Sequence, residues 1–456
     1  MSDNLYFSRD TKVYIEILAA NNSTSGSVIW EVPVLEGYSF SQAQNATEIT
    51  LSEMESSTGV SRRGRRNFND SYAPAEWSFS TYVRPFASSG FDSSNVHAVE
   101  EVLWGLFNGK AYWDNTANEF KSAASGTAYS AHSGTTAVFD LAQSNTAALG
   151  EANIYFALGA NTASTHTDNV ASGSAQTGTT ITLDGAVAVA NTIAAGDVML
   201  FTGDSSGVTE TATVVTGNTA GGTQITIAAA QGGGIAGGGA VTFQRAVTYK
   251  LENCVVNEAS IDFDVDGIAQ INWSGLGKII SEAIIPTPTI TAGISLTSNY
   301  IRNRLTQLTI TPADTTTFAS SYTATLTGGN VTLSNNIEYL TPVTLGEVNQ
   351  PFAAVAGSRN VGGNFTCYLN TGNDGSADLF RDLIDANTVI TNNFDLKFGI
   401  GGAAGGSGPR LEIHCPTSHI ELPTHSIEDV ISLDTTFAAL PSTISGADDA
   451  TLTYRV

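Results

Sequence analysis

The stretch AEWSFSTYV, Ala75 to Val83, and the stretch GGNFTCYL, Gly362 to Leu369, decide the architecture. Both have the period of two that belongs to a strand, and Phe79 aligns with Phe365 and Tyr82 with Tyr368. They lie about 290 residues apart, so the chain reads as a duplication. Each is preceded by a second strand-like run: VLEGYSFSQAQNATEITLSEM (Val34 to Met54) in the first half, TLTGGNVTLSNNIEYLTPVTLGEV (Thr325 to Val348) in the second. After each, the period lengthens to that of a helix. NVHAVEEVLWGLFNG (Asn95 to Gly109) carries a stripe of Val96, Val99, Leu103 and Leu106, and GSADLFRDLIDAN (Gly375 to Asn387) one of Leu379, Phe380, Leu383 and Ile384. Gly109 and Asn387 suit the helix ends. The halves close on similar segments, Tyr249 to Trp273 and Pro409 to Leu433, which set Cys254 opposite Cys415 and read as paired strands.

Two segments break the symmetry. Residues 161–246 match only the glycine-rich GIGGAAGGSG (Gly399 to Gly408) of the second half; their Thr/Val/Ile alternation and Gly/Asp turns predict an inserted all-β module. Residues 284–299, with Pro286 and Pro288, predict an extended linker. The expected fold is therefore mainly β with a few helices, a β-rich α+β chain. One domain spans 1–160 and 247–283 and a second 300–456, each a β-sandwich or barrel wall with one flanking helix, and the small β domain is inserted at 161–246.

The 456 residues carry 43 acidic and 19 basic groups, a formal charge of −24, which opposes binding to phosphate backbones. Charged residues are only 14%, so polarity rests on Ser, Thr, Asn and Gly, a composition that suits strands and turns. Cys254, Cys367 and Cys415 are too far apart for a CxxC site and predict buried thiols. The opening MSDNLYFSRDTKVYIEILAANN has no basic segment leading into an apolar run, and no run of 18 apolar residues occurs; a soluble protein with no signal peptide and no membrane insertion is expected.

Motifs for chemistry are weak. GDSSG (Gly203 to Gly207) has the spacing of a nucleophile elbow around Ser205, but a strand-like run follows it where a helix is needed. GGGIAGGG (Gly232 to Gly239) lacks the Lys-Ser/Thr ending of a phosphate loop. His414, His419 and His425 near Cys415 do not have the spacing of paired zinc ligands, and Pro416 and Pro423 interrupt them. Asp262, Asp264, Asp266 and Gly267 open like a calcium loop, but its twelfth position is Trp273 where a bidentate Glu is required. Alternation sets the three aspartates on one strand face, with Ile261, Phe263 and Val265 on the other, which suits either an acidic outer strand or a functional acidic surface. SRRGRR holds Arg62, Arg63, Arg65 and Arg66, a basic cluster in an acidic chain that suits either docking onto an identical neighbour or a solvated loop. No catalytic set, metal or cofactor is expected, and hence no enzyme.

RRNFNDSYAPAEWSFSTYVRPF (Arg65 to Phe86), INWSGLG (Ile271 to Gly277), NYIRNRLTQLTI (Asn299 to Ile310), LTGGNVTLSNNIEYLTP (Leu326 to Pro342) and FTCYLNTGNDGSADLFRDLI (Phe365 to Ile384) together resemble the major tail tube protein of long-tailed, sheathless bacteriophages, in its duplicated form. The likeness covers about 1–160 and 247–445. It implies a virion tail component assembled in the host cytoplasm: trimeric rings whose six similar domains imitate a hexamer, stacked into a tube around an inner β-barrel. The implied partners are further copies, the tape-measure protein, tail-tip and terminator proteins, and double-stranded DNA passing through without sequence-specific binding. Residues 161–246 depart from the shared core, and the immunoglobulin-like C-terminal module of some relatives has no counterpart; the insertion is expected to decorate the outside instead. Asp262, Asp264 and Asp266 are the channel-lining candidates, and Arg62, Arg63, Arg65 and Arg66 the ring-stacking loop candidates. A rival is a virion surface or adhesin protein whose inserted domain binds host carbohydrate.

Overall fold

Alternating polar and apolar residues form strands wherever one face can be covered, and strands dominate the computed structural model of this chain. It describes all residues except 1–5, 25, 50–65, 90–91, 110–111, 142–148, 160–164, 205–206, 208, 246, 292–298, 314–317, 347, 386–392, 403–407, 428 and 444–445. Internal contacts divide the chain into two units. One holds Met1–Ile15, Ile154–Leu251 and Ile280–Thr289; the other holds Glu16–Asn153, Glu252–Ile279 and Ile290–Val456.

The first unit contains a six-stranded antiparallel sheet in the order Thr165–Asn169, Ala240–Gln244, Val198–Thr202, Thr209–Thr216, Gly222–Ile227, Thr180–Val187. Its own core gathers Ile181, Leu183, Met199, Phe201, Val214, Ile225, Val241 and Phe243. Residues 165–244 thus carry an all-β module with separate hydrophobic closure.

In the second unit, eight antiparallel strands lie side by side. The order is Ser39–Ile49, Arg66–Tyr82, Gln270–Gly277, Val247–Asp264 (through its 252–264 part), Leu326–Ser334, Asn360–Tyr368, Ser432–Ala439, and last Thr424–Ser426 with the end of Arg410–Ile420. The first four positions and the last four follow the same chain logic: opening strand, its hairpin partner, then the two closing strands in reverse order. Phe79 lies opposite Trp273 and Phe365 opposite Thr435, so the register makes Trp273 equivalent to Thr435, one place beyond the partner that aligning Cys254 with Cys415 gives it. The strand Arg410–Ile420 also enters a second antiparallel layer, ordered Tyr322–Thr323, Gln307–Pro312, Phe394–Gly401, Arg410–Ile420, Thr451–Arg455, Thr136–Asp140, Ser130–His132. Between the layers the Phe398 ring meets Phe263 at 5.7 Å, Phe365 at 6.4 Å and Phe437 at 5.1 Å. Rings at such separations add roughly 0.5–1.5 kcal/mol per pair beyond the area they bury.

The helices differ from expectation at one point. Of the stretch Asn95 to Gly109 the α-helix takes in Glu101–Phe107; Val96 lies in a strand, Asp92–Ala98, and Val99 in the turn after it. The reason is pairing: Phe86 lies opposite His97 and Pro85 opposite Ala98, so the backbone is held extended until the turn at Val99 and Glu100. The i, i+3 spacing of Val96 and Val99 is shared by a strand end and a helix start. Gly109 follows the helix with φ 129°, in the region a helix terminator needs. In the second half Ser376–Asp385 is helical, with Leu379 buried, Phe380 and Leu383 half-buried and Ile384 exposed; Asn387 lies outside the described residues. All three cysteines are buried free thiols, and burial pushes the Cys415 thiol up to about 12. In the 284–299 segment, Ile290–Thr291 pairs in parallel with Trp30 and Glu31. No helix among the described residues is long and apolar enough to cross a membrane.

Candidate functional site: the polar face of the eight-stranded sheet

A strand in an antiparallel sheet with one covered face must show polar residues on the other. On Val247–Asp264, Ala259, Ile261 and Phe263 are buried, whereas Asp262 and Asp264 are exposed. The same alternation buries Trp77 and Phe79, Ile271 and Trp273, Val331 and Leu333, Phe365, and Leu433 and Phe437. One register row of the opposite face runs Ser80, Asn272, Ser260, Thr332, and the next Tyr82, Gln270, Asp262, Asn330, Asn364, Thr436.

These groups bond across the strands. Ser39 and Ser78 hydroxyls are 2.8 Å apart, Ser80 donates to Asn272 at 2.6 Å, and the Asn272 amide donates to Asp262 at 3.0 Å. Further along, Ser260 and Thr332 hydroxyls are 3.3 Å apart and Thr366 donates to Asp434 at 2.7 Å. The acids on this face are Glu76, Glu258, Asp262, Asp264 and Asp434; over the described parts of 76–82, 258–264, 270–276, 328–334, 360–368 and 432–438 the chain has no Lys or Arg. The face is therefore a field of hydroxyls and amides with carboxylates set into it.

Asp262, Asp264 and Asp266 come together on one cleft of about 430 Å³, shared with Gln270, Asn272 and Asn303. The one-face alternation ends at Asp264. Val265, expected on the covered side, is 43% exposed, because the chain turns there through Gly267 at φ 102°. Glu76, Glu258 and Asp434 were not singled out from the sequence; the period-two patterns around them held the signal, but not the pairing that unites them. Arg62, Arg63 and Arg65 lie outside the described residues. Arg66 opens its strand opposite Ile49, at the end of the Ser39–Ile49/Arg66–Tyr82 pair away from Ser39 and Ser78.

The other motifs do not assemble sites. Ser205 lies outside the described residues, and the strands flanking it, Val198–Thr202 and Thr209–Thr216, form a hairpin where a hydrolase would need a helix. Gly234 and Gly238 turn at positive φ around Ile235, which bridges to Gln176 and Gly203. His419 and His425 are exposed, whereas Cys415 is buried.

A buried titratable cluster lies elsewhere, at the start of the first helix. His97 Nδ1 is 2.9 Å from Glu101 and its Nε2 3.3 Å from Asp92. His132 stacks on His97 at 4.1 Å and 22°, with Nδ1 2.9 Å from the Val96 carbonyl and Nε2 3.1 Å from the Ser130 hydroxyl. The ligand atoms of His97, Glu101 and His132 lie within 4.8 Å of one another. Stacked rings hold their in-plane lone pairs parallel, however, and every ring nitrogen has a protein partner, so the cluster is built to hold a proton. Burial alone would lower the His97 pKa, but Glu101 and Asp92 outweigh it and raise it. Burial would raise Asp92, yet the Ser94 amide, Asn95 and His97 hold it well below the usual carboxylate range. Burial lowers His132 and keeps it the neutral member.

No protein-family model matches the chain. It is similar to the tail tube protein pb6 of Escherichia phage T5, with 24% identity over 459 residues that cover 99% of this chain and 76% of that protein. The alignment includes 161–246 as well as the two repeats.

Proposed function

We propose that this relative of a long-tailed phage's tail tube protein is itself a structural tail-tube protein, and that it polymerises as stacked rings of three copies through which double-stranded DNA passes into the host. The observation that carries this reading is the eight-stranded sheet made twice from one four-strand plan, with one face sealed and the other polar and without Lys or Arg over 76–82, 258–264, 270–276, 328–334, 360–368 and 432–438. Three copies side by side supply 24 strands. At about 4.8 Å between strands and a tilt of about 40°, such a ring closes at roughly 50 Å between facing backbones, wide enough after side chains for a duplex of about 20 Å.

The lining chemistry fits passage. Duplex DNA carries a charge about every 1.7 Å, and a cationic wall would hold it by counterion release. Hydroxyls and amides give it no such purchase, and carboxylates repel it weakly from all sides over about a Debye length of 8–10 Å. Asp262, Asp264 and Asp266 belong to this lining in the proposal, the arginine loop to ring stacking, and the 165–244 module to the outside, where it leaves the passage clear. The tape-measure, tail-tip and terminator proteins are the further partners.

Electron microscopy of the purified protein and of virions tests the reading. Hollow tubes with three chains per ring and one outward projection per chain support it; compact, non-tubular particles in the presence of a tail-tip initiator overturn it.

A further inference from the structure

The cleft that gathers Asp262, Asp264 and Asp266 lies where a strand of the first repeat meets the opening segment of the second. Asp262 and Asp264 stand on one face of the strand that ends there, and Asp266 and Gly267 lie in the bend after it. The bend is held against the second repeat by its backbone. The Asn303 N–H donates to the Gly267 carbonyl at 3.3 Å, and the Ala269 N–H to the Ile301 carbonyl at 2.8 Å. These bonds bring the Asn303 side chain to the same cleft. Across the ladder Asp264 faces Gly328 and Phe263 faces Gly329, two glycines that line the cleft without filling it.

Acidic clusters are common on exposed faces; what distinguishes this one is Asn303. That residue is 6% exposed, and its Oδ1 is buried with no hydrogen-bond donor among the described residues. Its amide nitrogen makes only a long contact, 3.5 Å, to Asp264. A buried polar atom without a partner is destabilising unless a water or an ion meets it. The side chains around it offer oxygens, the donors that suit hard cations such as Ca²⁺ and Mg²⁺. The Asn272 amide fixes one oxygen of Asp262 at 3.0 Å and leaves the other available. Among the described residues no Lys or Arg forms an ion pair with the three aspartates, and Arg302 and Arg304, on either side of Asn303, are exposed.

We infer that Asp264, Asp266 and Asn303, with Asp262 at the rim, hold one Ca²⁺ ion. The calcium-loop opening that fails at Trp273 is completed by an amide oxygen from the second repeat, in place of the carboxylate that its own continuation lacks. Among the described residues, the His, Cys, Asp and Glu groups whose ligand atoms converge within 4.8 Å are His97, Glu101 and His132, so the aspartates stand further apart than that. The ion therefore keeps part of its own water shell between them. Ca²⁺ tolerates such an irregular set, drawn from a bend and a separate segment, whereas Mg²⁺ demands near-ideal octahedral geometry. A doubly charged ion does not outweigh three carboxylates, so the face keeps its negative sign. Every residue of the site belongs to one chain, and the site is independent of how copies assemble.

Calcium chloride is titrated calorimetrically into the chelator-stripped, unassembled full-length subunit at about 0.15 M salt, where diffuse attraction is screened. Magnesium chloride is titrated in parallel. One Ca²⁺ per chain should bind saturably, with a dissociation constant of about 10⁻⁵–10⁻³ M, and Mg²⁺ roughly tenfold more weakly. Asp264→Asn with Asp266→Asn should abolish the binding, and Asn303→Ala should weaken it about tenfold. Asn303→Asp keeps the shape of the side chain and adds ligand charge, so it should tighten binding; it also serves if the alanine variant fails to fold. Glu258→Gln with Asp434→Asn, elsewhere on the same face, should leave the affinity unchanged. No saturable Ca²⁺ binding below about 10 mM, binding retained by the double aspartate variant, or parental affinity in a folded Asn303 variant overturns the site. Mg²⁺ bound as tightly as Ca²⁺ overturns the assignment to calcium. Tube formation, scored by microscopy of the same preparations, is decided separately from all of these outcomes.

Discussion

Tyr454 donates its phenol proton to Glu100 at 2.8 Å and accepts from the Trp104 indole at 2.7 Å, so one residue of the Thr451–Arg455 strand ties down both the carboxylate before the first helix and a tryptophan within it. Glu100 is fully buried, and its Oε2 has no hydrogen-bond partner, an arrangement that favours the neutral acid. Burial pushes its pKa up to about 7 from 4.5. The folded chain then binds the extra proton, so Glu100 makes the fold lose stability as pH rises from about 4.5 to 7, by an amount on the order of 3 kcal/mol at most. Glu100→Gln keeps an acceptor for Tyr454 and removes that slope. Urea unfolding of the unassembled subunit should show the variant matching or exceeding the parent at pH 8 and losing the advantage at pH 5.

His97 works in the same pH range through charge. Its pKa is raised above 6.5, so the stability it contributes is fully present below that value and is lost as pH climbs through the folded pKa. His97→Gln leaves the Asp92 and Glu101 carboxylates without the cation between them. Breaking a buried pair in this way costs about 3–5 kcal/mol. Thermal melts should show the largest deficit near pH 6 and a narrower one at pH 9; a deficit independent of pH would mean that the ring's packing, and not its charge, matters there.

Gly275 marks where backbone and tryptophan come too close for a side chain. A Cβ there would lie 2.0 Å from the Val255 carbonyl oxygen and 2.4 Å from the Trp77 ring. Gly275→Ala must displace backbone as well as ring, a strain of at least about 1–3 kcal/mol. Gly26→Ala, which meets open space, should stay within about 0.5 kcal/mol of the parent in the same denaturation series.

Much of this was legible because duplication repeats a signal. Phe79 and Phe365 align in sequence and occupy equivalent strands, and the 165–244 module declared itself by Thr/Val/Ile alternation. Other features depend on partners that no local pattern names. Asp92–Ala98 is a strand because Pro85–Ser89 pairs with it, and its valines have helical spacing by coincidence of period. Asp434 shares a face with Asp262 only through the ladders of two intervening strands. Glu100 reads as an ordinary acid at a helix start until Tyr454, 354 positions away, is folded over it.

The arginine cluster makes a prediction about assembly. Arg66 stands at the end of a two-stranded arm where Gln44 to Glu48 and Asn67 to Asn69 are exposed, and Arg62, Arg63 and Arg65 shortly precede it in the sequence. In a chain of charge −24, four cations there have acidic surface to meet on any neighbouring copy. Alanine at all four positions should give separate rings or monomers in electron micrographs, and parent tubes should shorten as salt is raised. Long tubes from the quadruple variant would assign stacking to other loops.

The aspartates predict something about motion and nothing about folding. Asp262 and Asp264 are exposed, and their amide acceptors can be kept by substitution: Asn at position 262 still offers an oxygen to the Asn272 amide, now 3.0 Å away. Asp262→Asn, Asp264→Asn and Asp266→Asn together should therefore leave subunit stability within about 1 kcal/mol and tubes intact. What changes is the wall that the duplex slides along. Removing three carboxylates per chain weakens the repulsion that centres the DNA and lets phosphates approach the hydroxyls and amides, so ejection should slow, most visibly at low ionic strength where the field reaches furthest. The measurement is the DNA release rate from variant virions after triggering, across a salt series. A rate equal to the parent's at every salt concentration would remove these residues from the lining, whereas slowing that fades above about 0.5 M salt would assign the effect to their charge.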